Sequence, residues 1–454
     1  MLGDAEEWFY RRLGGIDVDF SRPVAEQIVL HPVVVGKIAW VRTSYQSAAG
    51  MIRSSWQRGA HETVYRFTVP ANAMATIEID SANPSSATVN GVAAAKALLD
   101  AGASANTGWM ELDHEPRPTW EAAIYGAAGI AQHPELTRLL LERGADPNDG
   151  ETPYHVVETY DNTVMKILVE SGRLNDTSMT TLLLRKTDWH DYDGIKWLLE
   201  HGADPNRATH WGRTAFHHAV LRDNSVNIIE VLMEHGADPM LVAERPDTRQ
   251  TAGPAMSGVA MAARRGRGDV LDLMERRGIA IELQAVERLI AACARNDSAK
   301  VRTIAEQEPE LVRELVAQGG KLLAEFASVG NTDGARHLLD LGVDVSALTE
   351  DGDPYFDVAK NSTALHSAVW RAWPSTVKFL LERGAPVDVT DEKGRTPLML
   401  AVRTCVDSYW KHRRTPESVE ALLNAGATVR GVEYPSGYAE VDELLHAHGA
   451  KPRE

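Results

Sequence analysis

One short phrase returns along this chain and limits its fold more than any other feature: Leu-Leu-x-x-Gly-Ala. It stands at Leu98-Leu99-Asp100-Ala101-Gly102-Ala103 and Leu140-Leu141-Glu142-Arg143-Gly144-Ala145, again at 198–203, 380–385 and 422–427, and with Met233 for the second leucine at 232–237. Weaker copies end at Gly172, Gly278, Gly342 and Gly449. The pattern suits an amphipathic helix that buries its leucines and is capped by a glycine in the left-handed conformation. Asp-Pro-Asn at 146–148 and 204–206 then turns the chain. From Gly102 to Gly426 the glycines lie 28 to 42 residues apart, except for one step of 64 that divides into two units of 32, one of them degenerate near Glu308-Pro309. A unit of this length is a helix–turn–helix too small to bury its own apolar face, so neighbouring units must stack.

A second phrase lies upstream of those glycines: Thr396-Pro397-Leu398-Met399, Thr363-Ala364-Leu365-His366, Thr214-Ala215-Phe216-His217 and Thr152-Pro153-Tyr154-His155. A threonine hydroxyl caps free amides and proline fits the first turn, so the phrase opens a helix. Together the two phrases resemble the ankyrin repeat. The resemblance covers residues 91–450 in about nine or ten units, with 433–450 as a C-terminal cap. It implies a mainly α chain, a solenoid whose concave groove and inter-helix loops bind another protein. It also implies that His155, His217 and His366 are structural, each hydrogen-bonded to its threonine hydroxyl. Intervals of 42 residues exceed the usual unit of about 33, and the excess is expected as loops, where specificity is commonly placed.

Ahead of Gly91 the apolar period falls to two. Tyr65, Phe67 and Val69, then Ala75, Ile77 and Ile79, and Ile52 with Trp56 mark strands with one buried face, separated by turns at Arg58-Gly59 and Pro70-Ala71-Asn72. A small antiparallel β-sandwich is expected over 21–90. The series Trp8, Gly15-Ile16, His31-Pro32, Gly36-Lys37-Ile38-Ala39-Trp40, Ser44-Tyr45, Gly50-Met51-Ile52, Trp56 and Val69-Pro70-Ala71-Asn72 resembles the C-terminal β-domain of bacterial α-L-rhamnosidases. Residues 1–20 are similar to the remnant of a helix from that family's catalytic barrel. Glycoside hydrolysis needs two facing carboxyl groups. The resemblance carries none over, so no enzyme activity and no catalytic residue is expected. The β-domain is expected to form a lid on the first repeat. The alternative is a carbohydrate-binding or glycoside-processing protein with contacts through Trp40, Tyr45 and Trp56 and a separate catalytic subunit.

The chain has 47 Lys and Arg against 64 Asp and Glu, a net charge of −17, of which only −1 falls within residues 1–90. This balance argues against nucleic acid, whose binding needs concentrated cations, and favours a basic protein partner. Two cysteines, Cys293 and Cys405, are too few for a disulfide framework or a four-cysteine zinc site. No metal or other cofactor is expected. The apolar stretch from Ile28 to Val41 is broken by His31, Pro32, Gly36 and Lys37 and falls short of the roughly 20 residues that span a bilayer. The acidic start Asp4-Ala5-Glu6-Glu7 lacks the features of an export signal. A cytoplasmic monomer without membrane contact is expected.

Candidate partner contacts follow from place in the repeat. Trp370 and Arg371 come after Ala368-Val369, in slots that ankyrin proteins vary on the concave face; Arg403 and Thr404, and Leu221 and Arg222, occupy the same slots. In Trp189-His190-Asp191-Tyr192-Asp193, Trp189 and Tyr192 are candidate anchors, and Asp193 is expected to cap the helix that follows. The insertion Tyr409-Trp410-Lys411-His412-Arg413-Arg414 adds Tyr409, Trp410 and Arg413. Arg264-Arg265-Gly266-Arg267 is expected as a solvent-facing turn.

Overall fold

The computed structural model describes residues 15–18, 28–34, 38–47, 50–59, 63–70, 75–77, 92–111, 119–209, 212–242 and 255–452. They fall into two compact units, one holding the residues up to Gly108 together with 135–145, the other 109–134 and everything from Asp146 onward.

The first unit opens with two three-stranded sheets. Strands β1 (Ile16–Val18) and β2 (Ile28–Leu30) pair antiparallel, and β6 (Ala75–Ile77) joins β2 in parallel. Strands β3 (Trp40–Ser47), β4 (Gly50–Arg58) and β5 (Thr63–Thr68) form an antiparallel meander. Alternation builds the core: Ile52, Ser54 and Trp56 of β4 are buried while Met51, Arg53 and Gln57 are exposed. Ile52 packs with Ile16, Ile28 and Leu30 from the other sheet, and Phe67, Val69 and Ala75 complete the cluster. Three expectations change here. The sheet is mixed at β6, Ile16–Val18 is strand rather than the end of a helix, and Trp56 is core and out of reach of a ligand. Residues 1–14 and 19–20, assigned to that helix, and Ile79 lie outside the described residues.

Helices follow. The first unit adds α1 (Val92–Asp100) and nearly all of α2 (Pro134–Glu142), tied by an Arg143–Asp100 ion pair of 2.6 Å and by Asn106 Nδ2 donating to Gly144 O. Between them in sequence, β7 (Gly108–Glu111) and β8 (Thr119–Ala122) form a two-stranded sheet. The second unit then runs in helix pairs: α3 (Glu151–His155) with α4 (Thr163–Glu170), α5 (Asp176–Asp188) with α6 (Tyr192–Glu200), α7 (Ala215–Leu221) with α8 (Val226–Glu234), and α9 (Gly258–Arg264) with α10 (Gly268–Arg276). Next come α11 (Val286–Ala294) with α12 (Ser298–Gln307), a single α13 (Pro309–Ala317), α14 (Gly319–Ser328) with α15 (Thr332–Asp340), α16 (Ala364–Trp370) with α17 (Pro374–Glu382), α18 (Pro397–Val406) with α19 (Glu417–Asn424), and a terminal α20 (Ala439–Ala447). The 64-residue step does hold two helix pairs, and at Glu308-Pro309 the glycine turn is replaced by α13.

The recurring phrase is a hydrogen-bonding device. Its two leucine carbonyls accept the amides of the glycine and alanine that follow: Gly144 N–H to Leu141 O and Ala145 N–H to Leu140 O, and likewise Ala203 to Leu198, Ala237 to Leu232, Ala385 to Leu380 and Ala427 to Leu422. The glycine has a left-handed φ, 91° at Gly144 and 92° at Gly202, and the alanine is buried against the stack. Asn206 explains the Asp-Pro-Asn turn: its Nδ2 donates to Gly236 O and its Oδ1 accepts from Asp238 N–H, locking one repeat to the next. Asn148 does the same toward Arg173 O and Asn175 N–H. The Thr–His bond forms at Thr214–His217 (2.8 Å) and Thr363–His366 (2.9 Å). At His155 it does not: Thr152 Oγ1 donates to Asp149, and His155 pairs with Glu151 and Glu158.

A second left-handed turn, between the helices of a pair, is absent from the sequence motif. Asp223, Gly266, Asn296, Gly330 and Ala372 all have φ between 53° and 75°, and each closes the same amide-to-carbonyl pattern at the end of its first helix. Glycine stands at only two of these five places, so no residue type marks the turn. The next residue often reaches back to the preceding repeat, as in Asn224 Nδ2 to Thr187 O and Asn331 Nδ2 to Ala294 O.

Candidate interaction surface

The inter-helix turns of the second unit meet around a buried ion network. Asp223 sits on its left-handed turn with both carboxylate oxygens accepting from Arg265, Oδ1 from Nε at 2.8 Å and Oδ2 from Nη2 at 2.7 Å. Arg371, 148 residues further along, donates from Nη2 to the same Oδ2 at 2.7 Å and from Nη1 to Ser328 Oγ. Arg265 also reaches Glu325 and Asp353. Burial alone would raise the Asp223 carboxyl, but the Arg265 and Arg371 cations outweigh it and hold the group well below the usual carboxylate range. Burial pushes Glu325 up, and Asp353 and Asp223 add to this against the pull of Arg265.

Two loops seal this network, and both come from the long repeat intervals. The segment 349–362 is pinched shut by Thr349 N–H to Ser362 O and an Asp353–Val358 bridge, and it delivers Tyr355 and Phe356. The segment 407–416 delivers Tyr409 and Trp410. The Arg371 guanidinium packs on both the Phe356 ring, 3.9 Å away, and the Trp410 ring, 4.2 Å away. Trp370 Nε1 donates to Phe356 O. Tyr355 OH donates to Asp188 O, and its ring carries the Arg222 guanidinium at 3.5 Å.

Several residues expected at a partner are therefore core. Trp370, Arg371 and Trp410 are 6%, 2% and 4% exposed, because the chain's own loops fill the face they were expected to present. Arg265 and Arg267, expected in solvent, are buried too, the first on Asp223 and the second on Asn224 O and Asp269. The cap of α6 is Asp191, which accepts from Gly194 N–H while holding the buried Lys186 at 2.8 Å; Asp193 is exposed.

The other expected residues are half-buried or exposed. Arg222 bonds Asp188 at 2.6 Å, and Leu221 next to it is half-buried. Arg403 is exposed, paired with Asp357 at 3.0 Å and resting 4.9 Å over Trp370. Arg413 stacks on Trp373 and Trp410. Trp189 is half-buried with Tyr160 set edge-on at 5.7 Å, and His190 stands 6.3 Å from Tyr409. Burial and the neighbouring Tyr160 raise the Tyr409 hydroxyl. Tyr160, Tyr192, Tyr355 and Tyr409 are exposed, Tyr409 by 60%. Sequence reasoning missed Asp223, Tyr160, Tyr355 and Phe356. The only signal for the last two was the surplus length of their repeat interval.

Among the described residues no group of three or more His, Cys, Asp or Glu is placed to hold a metal, and no helix is long and apolar enough to cross a membrane. Models of ankyrin repeats match residues 182–233 (many copies) and 326–430 (three copies). This helical region is an ankyrin-repeat domain. The bacterial α-L-rhamnosidase C-terminal domain model matches residues 17–94, a partial resemblance. A human protein, transient receptor potential cation channel subfamily A member 1, is 24% identical over 300 residues, covering 59% of this chain. The chain spans only 24% of that relative's length. The crystal structure of the human ASB11 ankyrin repeat domain is 19% identical, with 60% of this chain and 99% of that one covered at a TM-score of 0.27. An ankyrin-repeat fold supports a protein-interaction scaffold role in general and is typically non-catalytic.

Proposed function

We propose that the protein is a non-enzymatic interaction scaffold whose ankyrin-repeat domain docks a protein partner on the aromatic rim formed by Tyr160, Trp189, Tyr192, Tyr355 and Tyr409. The supporting observation is the exposure of Tyr160, Tyr192, Tyr355 and Tyr409, with Trp189 half-buried against Tyr160 and Tyr355 bonded to Asp188 beside the buried ion network. Rigidly backed tyrosine and tryptophan side chains supply contact area at small conformational cost. Leu221 and Arg222 adjoin the rim, Arg403 adds a cation on the exposed loop side, and Arg413, stacked on aromatics, offers hydrogen bonds to a partner's carbonyls. The charge of −17 favours a basic or neutral partner through its long-range field. The scaffold acts as a monomer.

The test is affinity capture with the intact chain and with a Trp189→Ala/Tyr409→Ala variant, followed by direct titration of the recovered partner. A partner whose affinity falls with the rim variant, but not with Glu306→Ala on the exposed side of α12, supports the reading. Equal recovery and equal affinity for all three chains would overturn it. A second reading, carbohydrate contact by the β-domain, is favoured by the exposure of Trp40 and Tyr45. Glycan-array binding lost on Trp40→Ala would support it.

A further inference from the structure

We propose that the outer face of the β3-β4-β5 sheet is a second docking surface, one that takes an acidic segment of a protein partner. The register puts Arg42, Ser55 and Arg66 in one row across the three strands, with Ser44, Arg53 and Thr68 in the next row on the same face. All three arginines are exposed, and among the described residues none has a carboxylate partner. No Asp or Glu occurs in any of the three strands. By contrast the domain's repeat arginines, such as Arg222, Arg277, Arg295 and Arg383, are committed to carboxylates. Like charges set this close repel one another unless an anion lies among them.

The spacing suits an extended acidic peptide. Two strand spacings separate Arg42 from Arg66 by about 10 Å, and Arg53 lies about 7 Å along from that row. Carboxylates two or three residues apart on an extended chain span about 7 to 10 Å, so a short acidic run meets all three guanidiniums, each able to bind a carboxylate bidentately. Trp40, on the same face, is 61% exposed with Arg42 5.7 Å over its ring, which adds the aromatic and arginine pairing typical of protein contacts. A short peptide also suffers less from the chain's net −17 than a dense polyanion does. This proposal is independent of the aromatic rim.

The probe is a fluorescein-labelled dodecaglutamate peptide, titrated against the intact chain by anisotropy at roughly 0.15 M salt, where exposed charges interact over about 8 Å. Saturable binding is expected, weakened on the order of tenfold or more in Arg42→Gln/Arg66→Gln. Arg42→Lys/Arg66→Lys should lose less, and Trp189→Ala/Tyr409→Ala nothing. Circular dichroism checks that each variant is folded, which these exposed positions should allow. The proposal is overturned if dodecaglutamate binds no better than a Gly-Ser peptide of equal length, or if the double glutamine variant binds equally well. Tighter binding of an oligothymidylate or a sulfated oligosaccharide of equal charge would also overturn it.

Discussion

Replacing Asp223 by Asn tests whether the buried ion network holds distant repeats together. The substitution keeps the side-chain shape and the tolerance for φ of 53°, so it isolates the charge. Three guanidinium hydrogen bonds of 2.7–2.8 Å end on this carboxylate. Asn keeps one acceptor and turns an amide N–H₂ toward the same donors. Arg265 retains Glu325 and Asp353, but Arg371, 2% exposed and packed on two rings, keeps among the described residues only the hydrogen bond to Ser328. Removing one partner of a buried pair costs about 3–5 kcal/mol, a large share of the roughly 5–15 kcal/mol that stabilises a domain. Arg371 lies 148 residues beyond Asp223, so the loss should also uncouple the segments that carry them. In urea, fluorescence from Trp370, Trp373 and Trp410 should change before the far-ultraviolet helical signal, whereas the parent should show coincident transitions. A loss below about 1 kcal/mol with coincident transitions would refute the reasoning and rank the network with surface ion pairs.

Other outcomes follow from single groups. His218 is buried against Thr187 and pushed down to about 3 by burial and then by the Arg222 cation, from an ordinary 6.5. A depressed folded value means that its contribution is complete above pH 6.5 and is lost as pH falls toward 3, about 2 kcal/mol of it near pH 5; His218→Gln should flatten that part of a stability profile taken by urea titration. Gly266→Ala should be markedly worse than Gly202→Ala. Both glycines are left-handed, costing about 1 kcal/mol each, but at Gly266 the new Cβ would lie 2.8–3.0 Å from Phe326, whereas nothing is within 4 Å at Gly202. Melting temperatures should differ accordingly, and equal shifts would contradict the packing. Burial raises the Cys405 thiol and pushes Cys293 up to about 12, so the folded chain should resist a disulfide-exchange reagent until denatured.

The repeats were legible because their signals are local. Two leucines, a glycine and an alanine within six residues make both hydrogen bonds of the helix cap, so a phrase such as 198–203 announces its own geometry. The same holds for β4, where an alternation of two reveals which of Ile52, Arg53, Ser54 and Trp56 face inward. The second turn of each repeat gave no such notice, because Asp, Asn, Gly and Ala all occupy it.

The candidate site divides along the same line. By itself the sequence determined the helix pairs, the β-domain ahead of them and the surplus residues in the long intervals, since each depends on neighbours a few positions away. It also singled out Trp370, Arg371 and Trp410, which do converge. Only the tertiary structure decided that they are core and that the tyrosines are the surface. That outcome depends on Asp223 meeting Arg265 and Arg371 across 42 and 148 residues of chain, and on Phe356 and Trp410 packing on Arg371. Such contacts are set by how stacked repeats bring their turns and loops together, and no periodicity within one repeat encodes them.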